Sequence, residues 1–136
     1  MKEQVTLQNL SDFENKSLLI CDDDNPFRER LARAREKKGF EVFQAESVQK
    51  GVEAVKSKKP GFAVVDLRLV DGNGLEVVKE IQSLKNDSRI IMLTGYGNIP
   101  TAVADIKEGA IDYLAKPADA EDVEKALLAD PSKKAA

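Results

Sequence analysis

Asp22, Asp23, Asp66, Thr94 and Lys116 are the residue types needed to pass a phosphoryl group onto a carboxylate, and each sits at or just past the C-terminal end of a short apolar run. The runs are LLIC, FAVV, IIML and DYLA. Carboxylates held close together repel, and at neutral pH the cheapest relief is a hard divalent cation bound through oxygens, with Mg²⁺ the leading choice. Asp22 and Asp23 therefore predict a metal. With the cation in place Asp66 can attack an incoming phosphoryl group, because nucleophile and phosphate oxygens are both neutralised. Lys116 offers a compact ammonium to one phosphoryl oxygen and the Thr94 hydroxyl donates to another.

Residues scattered in this way form a site only if the apolar runs are strands of one parallel sheet, whose carboxyl ends share an edge. The pattern from Lys16 onward supports that. Strands are predicted at Ser17 to Cys21, Glu41 to Ala45, Phe62 to Asp66, Arg89 to Leu93 and Ile111 to Ala115. Between and after them helices are predicted at about Pro26 to Lys38, Val48 to Lys58, Leu75 to Leu84, Pro100 to Glu108 and Ala120 to Leu128. Helical spacing puts Phe27, Leu31 and Ala34 on one face, and likewise Val48, Val52 and Val55, and Leu75, Val78, Ile81 and Gln82. Gly39, Gly61 and Gly109 fall near helix ends or just before strands, where left-handed backbone is often needed. Alternating strands and helices imply right-handed crossovers and a doubly wound five-stranded parallel sheet, a flavodoxin-like (βα)5 fold.

A length of 136 residues suits one domain with a real core. Residues 1–15 are polar and aperiodic and are expected to be a tail, residues 16–129 the domain, and residues 130–136, beginning within ADPSKKAA, a linker or trimmed end. A formal net charge of -3 argues against nucleic-acid contact by this segment. One cysteine, Cys21, and no apparent signal or membrane-spanning stretch favour the reducing cytoplasm. Histidine is absent, which removes histidine-ligated metals, Ser-His-Asp and Cys-His nucleophile systems and any phosphohistidine of its own. Cys21 ends an apolar strand beside carboxylates, so it reads as a buried small hydrophobe and not as a redox sensor.

The segments LLICDDDNPFR, VVDLRLVDGNGLE, IIMLTGYG and DYLAKPAD resemble the receiver domain of bacterial two-component response regulators, over about Ser17 to Ala129. Within that family GYGNIPTAV and KEGAIDYLAKPADAEDV are similar to the redox-responsive RegA/PrrA/ActR branch. The resemblance implies that Asp66 is the phosphoacceptor and that Asp22 and Asp23 are the acidic pair, with Asp23 the more direct metal ligand. It also implies the backbone carbonyl of Arg68 as a further ligand, Thr94 as the switch hydroxyl, and Tyr113 as the aromatic that changes rotamer with it. Lys116 would contact the phosphate, and its bond to Pro117 resembles the family's cis peptide. The expected partner is a sensor histidine kinase, with a homodimer on phosphorylation left open. Output would be transcriptional, through a DNA-binding effector domain that these residues do not include. The expected role is that of a signalling phosphoacceptor, catalysing only its own phosphorylation and dephosphorylation.

Two departures lie beside the acceptor. Val70 stands where the family often has proline, which predicts a less rigid loop after Asp66, though Gly72 and Gly74 keep it turn-competent. Gly95 and Gly97 flank Tyr96 and predict a mobile loop after Thr94. Taken singly, the aspartates could be helix caps, and Asp24 or Asn25 is expected to cap the helix at Pro26. Thr94 and Lys116 alone are unremarkable surface residues, and only the shared order at strand ends gives them a role. A haloacid-dehalogenase-like hydrolase would instead use Asp22 as nucleophile and Asp24 as acid/base and would leave Asp66 idle. A mononucleotide binder would need a Gly- or Ser-rich loop where DDDN stands.

Overall fold

A computed structural model of the chain describes residues 15–84, 88–94, 111–115 and 119–128. Within these the elements run β1 (Ser17–Cys21), α1 (Asn25–Glu36), β2 (Glu41–Ala45), α2 (Val48–Lys58), β3 (Phe62–Asp66), β4 (Arg68–Leu69), β5 (Gly72–Asn73), α3 (Leu75–Gln82), β6 (Arg89–Thr94), β7 (Ile111–Ala115) and α4 (Ala120–Leu128). The helix expected at Pro100 to Glu108 lies outside the described residues, as do Gly95, Tyr96, Gly97, Gly109, Lys116 and Pro117. β1, β2, β3, β6 and β7 form one parallel five-stranded sheet in the order β2-β1-β3-β6-β7. That is the flavodoxin-like arrangement, in which the chain winds outward in both directions from β1 and β3.

Each central strand is apolar on both sides because helices cover both faces, and the alternation of its side chains decides which helices it meets. Leu18, Ile20, Phe62, Val64, Ile91 and Leu93 pack with Leu31 and Ala32 of α1 and with Val123, Leu127 and Leu128 of α4. Leu19, Cys21, Ala63, Val65, Ile90 and Met92 pack on the other face with Val48 and Val55 of α2 and Val77, Val78 and Ile81 of α3. Phe62 meets Phe40 edge to face at 5.2 Å between ring centroids.

Several local devices differ from the sequence-based expectation. The buried face of α1 is Arg28, Leu31, Ala32 and Arg35, while Phe27 and Ala34 are only partly buried. Two of the four inward positions are thus arginines, which a hydrophobic count passes over. The cap of α1 is as expected: Asp24 Oδ1 accepts from Phe27 N–H at 3.1 Å, with Pro26 in the first turn. The left-handed residue that closes α2 is Lys59, with φ 47°, and not Gly61. Gly61 is small for another reason: a Cβ there would lie 2.7 Å from the Asn15 carbonyl oxygen. Asn15 is bonded into the fold, accepting from Ser17 N–H at 3.0 Å and donating to the Lys59 carbonyl at 2.9 Å. Lys58 places its ammonium 4.8 Å from the Phe43 ring centroid, a cation–π contact in addition to its place at the helix C-terminus.

The loop after Asp66 departs most from expectation. It is a small antiparallel hairpin in which Arg68 pairs with Asn73 and Leu69 with Gly72, leaving Val70 and Asp71 as the turn. Val70 is exposed, as suits a turn residue, and the missing proline is offset by pairing and by the contacts of Asp71 described below.

Candidate functional site

The sheet order reverses between β1 and β3, and the two adjacent loops leaving their carboxyl ends depart in opposite directions. This opens a notch at the sheet edge. β1 ends at Cys21, paired with Val65, and the next residues are Asp22 and Asp66. The alternation carried one step further puts Asp22 with Leu18 and Ile20, and Asp66 with Phe62 and Val64, on the α1 and α4 side. Carboxylate oxygens of Asp22, Asp23 and Asp66, one from each residue, lie within 4.8 Å of one another. Asp22 is fully buried, Asp66 is 8% exposed, and Asp23 faces solvent. Three clustered anionic oxygen donors, one of them open to water, suit a hard divalent cation.

Backbone groups hold these acids in place. Asp22 Oδ1 accepts from Asp24 N–H at 2.9 Å, and Asp22 N–H donates to the Ala45 carbonyl at 3.0 Å. Asp66 Oδ1 accepts from Arg68 N–H at 3.2 Å. Leu67 N–H donates to the Leu93 carbonyl, and Gly74 N–H to the Leu67 carbonyl at 2.7 Å, closing the base of the hairpin. Gly74 has to be glycine, because a Cβ there would collide with the Asp66 carbonyl oxygen.

Two residues that sequence reasoning missed support the site. Arg28, 7% exposed, donates from Nη1 to the Asp22 carbonyl and to Asn25 Oδ1, both at 2.7 Å, and from Nε to Gln44 Oε1 at 3.0 Å. A buried arginine is stable only with its donors engaged, and here they brace the turn that carries Asp22 and Asp23. Its position in the α1 heptad could have flagged it, since it falls on the inward stripe with Leu31 and Arg35. Asp71 accepts from Val48 N–H at 2.7 Å through Oδ1 and from Gln49 N–H at 3.1 Å through Oδ2. The hydrogen bond from Val48, then that from Gln49, holds its pKa below the ordinary carboxylate value, so the anion and both bonds are in place at neutral pH. Nothing local to VDGNG announces a contact that spans more than 20 residues.

Cys21 is fully buried and donates from Sγ to the Ser47 carbonyl at 3.4 Å. Burial first, and then the charges of Asp22, Asp66 and Asp71, push its pKa to about 12, so it is a neutral thiol at physiological pH. β6 ends at Thr94, in register with Ala115 at the end of β7, and Tyr113 pairs with Met92. Those backbone positions bring Thr94 to the same sheet edge as Asp66, which is in register with Leu93. Lys116 follows Ala115 and lies outside the described residues.

An acidic cluster at the switch point of a parallel flavodoxin-like sheet is the arrangement expected of a receiver-type α/β domain. Residues 18–128 match the family model of the response regulator receiver domain, and the chain belongs to that family. It is 55% identical over 120 residues to the acid tolerance regulatory protein ActR of Rhizobium meliloti, covering 88% of this chain and 62% of ActR. It is 56% identical over 115 residues to the photosynthetic apparatus regulatory protein RegA of Rhodobacter capsulatus, covering 85% of this chain and 62% of RegA. The motifs resembling the RegA/ActR branch are thus matched over most of the chain, which spans about 62% of the length of these curated relatives. Among solved structures it is similar to a response regulator from Burkholderia pseudomallei described with a phosphorylated aspartic acid, calcium ion and citrate. The TM-score is 0.76 at 39% identity, covering 87% of this chain and 69% of the other. A CheY-like receiver domain from Methanospirillum hungatei JF-1 matches with TM-score 0.71 at 28% identity, covering 81% of this chain and 88% of that one. Family membership sets aside the hydrolase and mononucleotide alternatives. Among the described residues no helix is long and apolar enough to cross a membrane.

Proposed function

We propose that this domain takes a phosphoryl group from a sensor histidine kinase onto Asp66 and uses the modified state to control a regulatory output. The observation that carries the reading is the convergence of Asp22, Asp23 and Asp66 carboxylates within 4.8 Å at the switch point, reached from separate strands. Asp22, Asp23, Asp66 and the Arg68 carbonyl would hold Mg²⁺, which when bound supplies the positive charge that neutralises the acceptor and the phosphoryl oxygens. An Asp66 oxygen attacks phosphorus in line, and a new P–O bond forms as the P–N bond to the donor imidazole breaks. The Arg68 N–H bond to Asp66 Oδ1 fixes the carboxylate rotamer before that attack. Lys116 and the Thr94 hydroxyl take up charge on the transferred group. Movement of Thr94 toward the phosphoryl group vacates space for Tyr113 and shifts a pre-existing equilibrium between two surfaces, which partners read. Hydrolysis at the same site returns Asp66 to the free acid.

The Burkholderia pseudomallei relative, with its phosphorylated aspartic acid and calcium ion, supports the chemistry. The names of ActR and RegA support a regulatory output, which we read as transcriptional, through a DNA-binding effector, in the cytoplasm, with homodimerisation of the phosphorylated form left open. Intact mass after incubation with acetyl phosphate and Mg²⁺ tests the proposal. One phosphoryl group per chain is expected, lost in Asp66→Asn and on chelation of the metal. Retention of the added mass in Asp66→Asn would place the acceptor elsewhere, and many turnovers on an aryl phosphate would make the chain a hydrolase.

A further inference from the structure

One half of the acidic site lies in the loop after β1 and the other at the end of β3 with the hairpin that follows, and a chain of specific bonds joins them from behind. On the β1 side, Asp22 N–H is bonded to the Ala45 carbonyl and Cys21 Sγ to the Ser47 carbonyl, so the segment leading into α2 is fastened to the strand that delivers Asp22. On the β3 side, Arg68 N–H is bonded to Asp66, Arg68 pairs with Asn73 across the hairpin, and Gly74 closes its base. The link between the two is Asp71 at the hairpin turn, with one carboxylate oxygen on Val48 N–H and the other on Gln49 N–H. α2 has its own cap in Ser47, whose Oγ accepts from Lys50 N–H at 3.1 Å. Asp71 thus takes the two first-turn donors that Ser47 leaves unserved, and a side chain is spent on joining two loops where helix capping alone would not need it.

We propose that Asp71 is a positioning residue for the cation site, its clasp on α2 setting the separation between the Asp22/Asp23 side and the Asp66/Arg68 side. This deepens the reading of those residues as the metal site and rests on it. The physical requirement is plain: a small divalent cation tolerates little error in ligand spacing, and while Asp66 is fixed at the end of β3, Arg68 rides on the hairpin, which is anchored by buried Leu69, by its base at Gly74 and by the turn at Asp71. With the turn clasped, the hairpin cannot swing away from the β1 loop. Without Asp71 the hairpin keeps its base at Gly74 and its buried Leu69 and loses the two bonds at its turn.

Mg²⁺ titration calorimetry on the whole chain, with the amide spectrum and Tm recorded alongside, tests this in wild type, Asp71→Ala, Asp71→Asn, Ser47→Ala and Asp66→Asn. Asp71→Ala is expected to weaken Mg²⁺ binding on the order of tenfold, as loss of an outer support of a metal site does. Asp71→Asn, which keeps one acceptor oxygen, should fall between it and wild type. Ser47→Ala removes a cap from the same helix turn and should lower Tm by about 2–6 °C while leaving Mg²⁺ affinity unchanged. In wild type, Mg²⁺ should shift the Val48 and Gln49 amide resonances, and in Asp71→Ala it should not. Wild-type affinity in Asp71→Ala, or an equal loss in Ser47→Ala, would overturn the positioning role with the metal site intact. Unchanged binding in Asp66→Asn would overturn the site itself.

Discussion

Asp22, Asp23 and Asp66 are ordinary acids made useful by where the backbone leaves them. Their oxygens share one small volume, and Asp24 and Arg68 N–H groups fix two of the three rotamers. The same economy governs Arg28. Its guanidinium serves the Asp22 carbonyl, Asn25 and Gln44 at once, so replacing it by an apolar residue of similar reach strips donors from three buried or half-buried acceptors. Arg28→Leu is expected to cost about 2–4 kcal/mol in urea unfolding, because groups left unsatisfied cost more than the bonds themselves contribute. A loss below about 0.5 kcal/mol would mean that water takes over those acceptors. The ion pair of Arg28 with Glu29, long at 3.9 Å and open to water on the Glu29 side, adds little to that figure.

At the scale of elements, α2 is the member under most constraint. Ser47 and Asp71 serve its first turn, Gly51 lies against β1 and α3, and its far end turns out through Lys59. A Cβ on Gly51 would sit 2.9 Å from Cys21 Sγ and 3.0 Å from Val77 Cγ2, so this helix approaches the sheet as closely as a glycine allows. Lys59 adopts φ 47° immediately before Pro60, a conformation that costs an L-residue energy and glycine almost none. Lys59→Gly should therefore stabilise the domain by roughly 0.5–1 kcal/mol in thermal or denaturant unfolding, against the usual effect of introducing glycine. Destabilisation instead would show that the Lys59 backbone is not left-handed in solution.

For the molecule as a whole, the α1 and α4 layer is tied together and to the sheet independently of the site. Arg35, 2% exposed, joins α1 to α4 through Glu124 at 3.0 Å, and Arg89 Nη1 donates to the Leu127 carbonyl at 3.3 Å. The acidic notch gathers three carboxylates within 4.8 Å of one another. A ligand that binds only the folded chain stabilises it by mass action, so Mg²⁺ at 100 times its Kd should add about 2.7 kcal/mol to unfolding. Calorimetric Tm measured against Mg²⁺ concentration checks this, and the increment should vanish in Asp66→Asn. A Tm rise of equal size in that variant would indicate general salt screening.

Much of this was legible beforehand. Apolar runs of strand length, alternating with helical spacing and each ending in a chemically capable residue, determine the order of elements, the parallel sheet and the edge at which Asp22, Asp23 and Asp66 meet. Those are local and periodic signals, and backbone geometry converts them into topology with few alternatives. The inward arginines of α1, the hairpin after Asp66, the left-handed turn at Lys59 and the reach of Asp71 to Val48 and Gln49 were decided by tertiary structure. Each depends on which donor happens to face which acceptor once distant segments are packed, and a linear pattern carries no term for that. The sequence by itself therefore determined which acids meet at the sheet edge, and the folded molecule decided what holds them together.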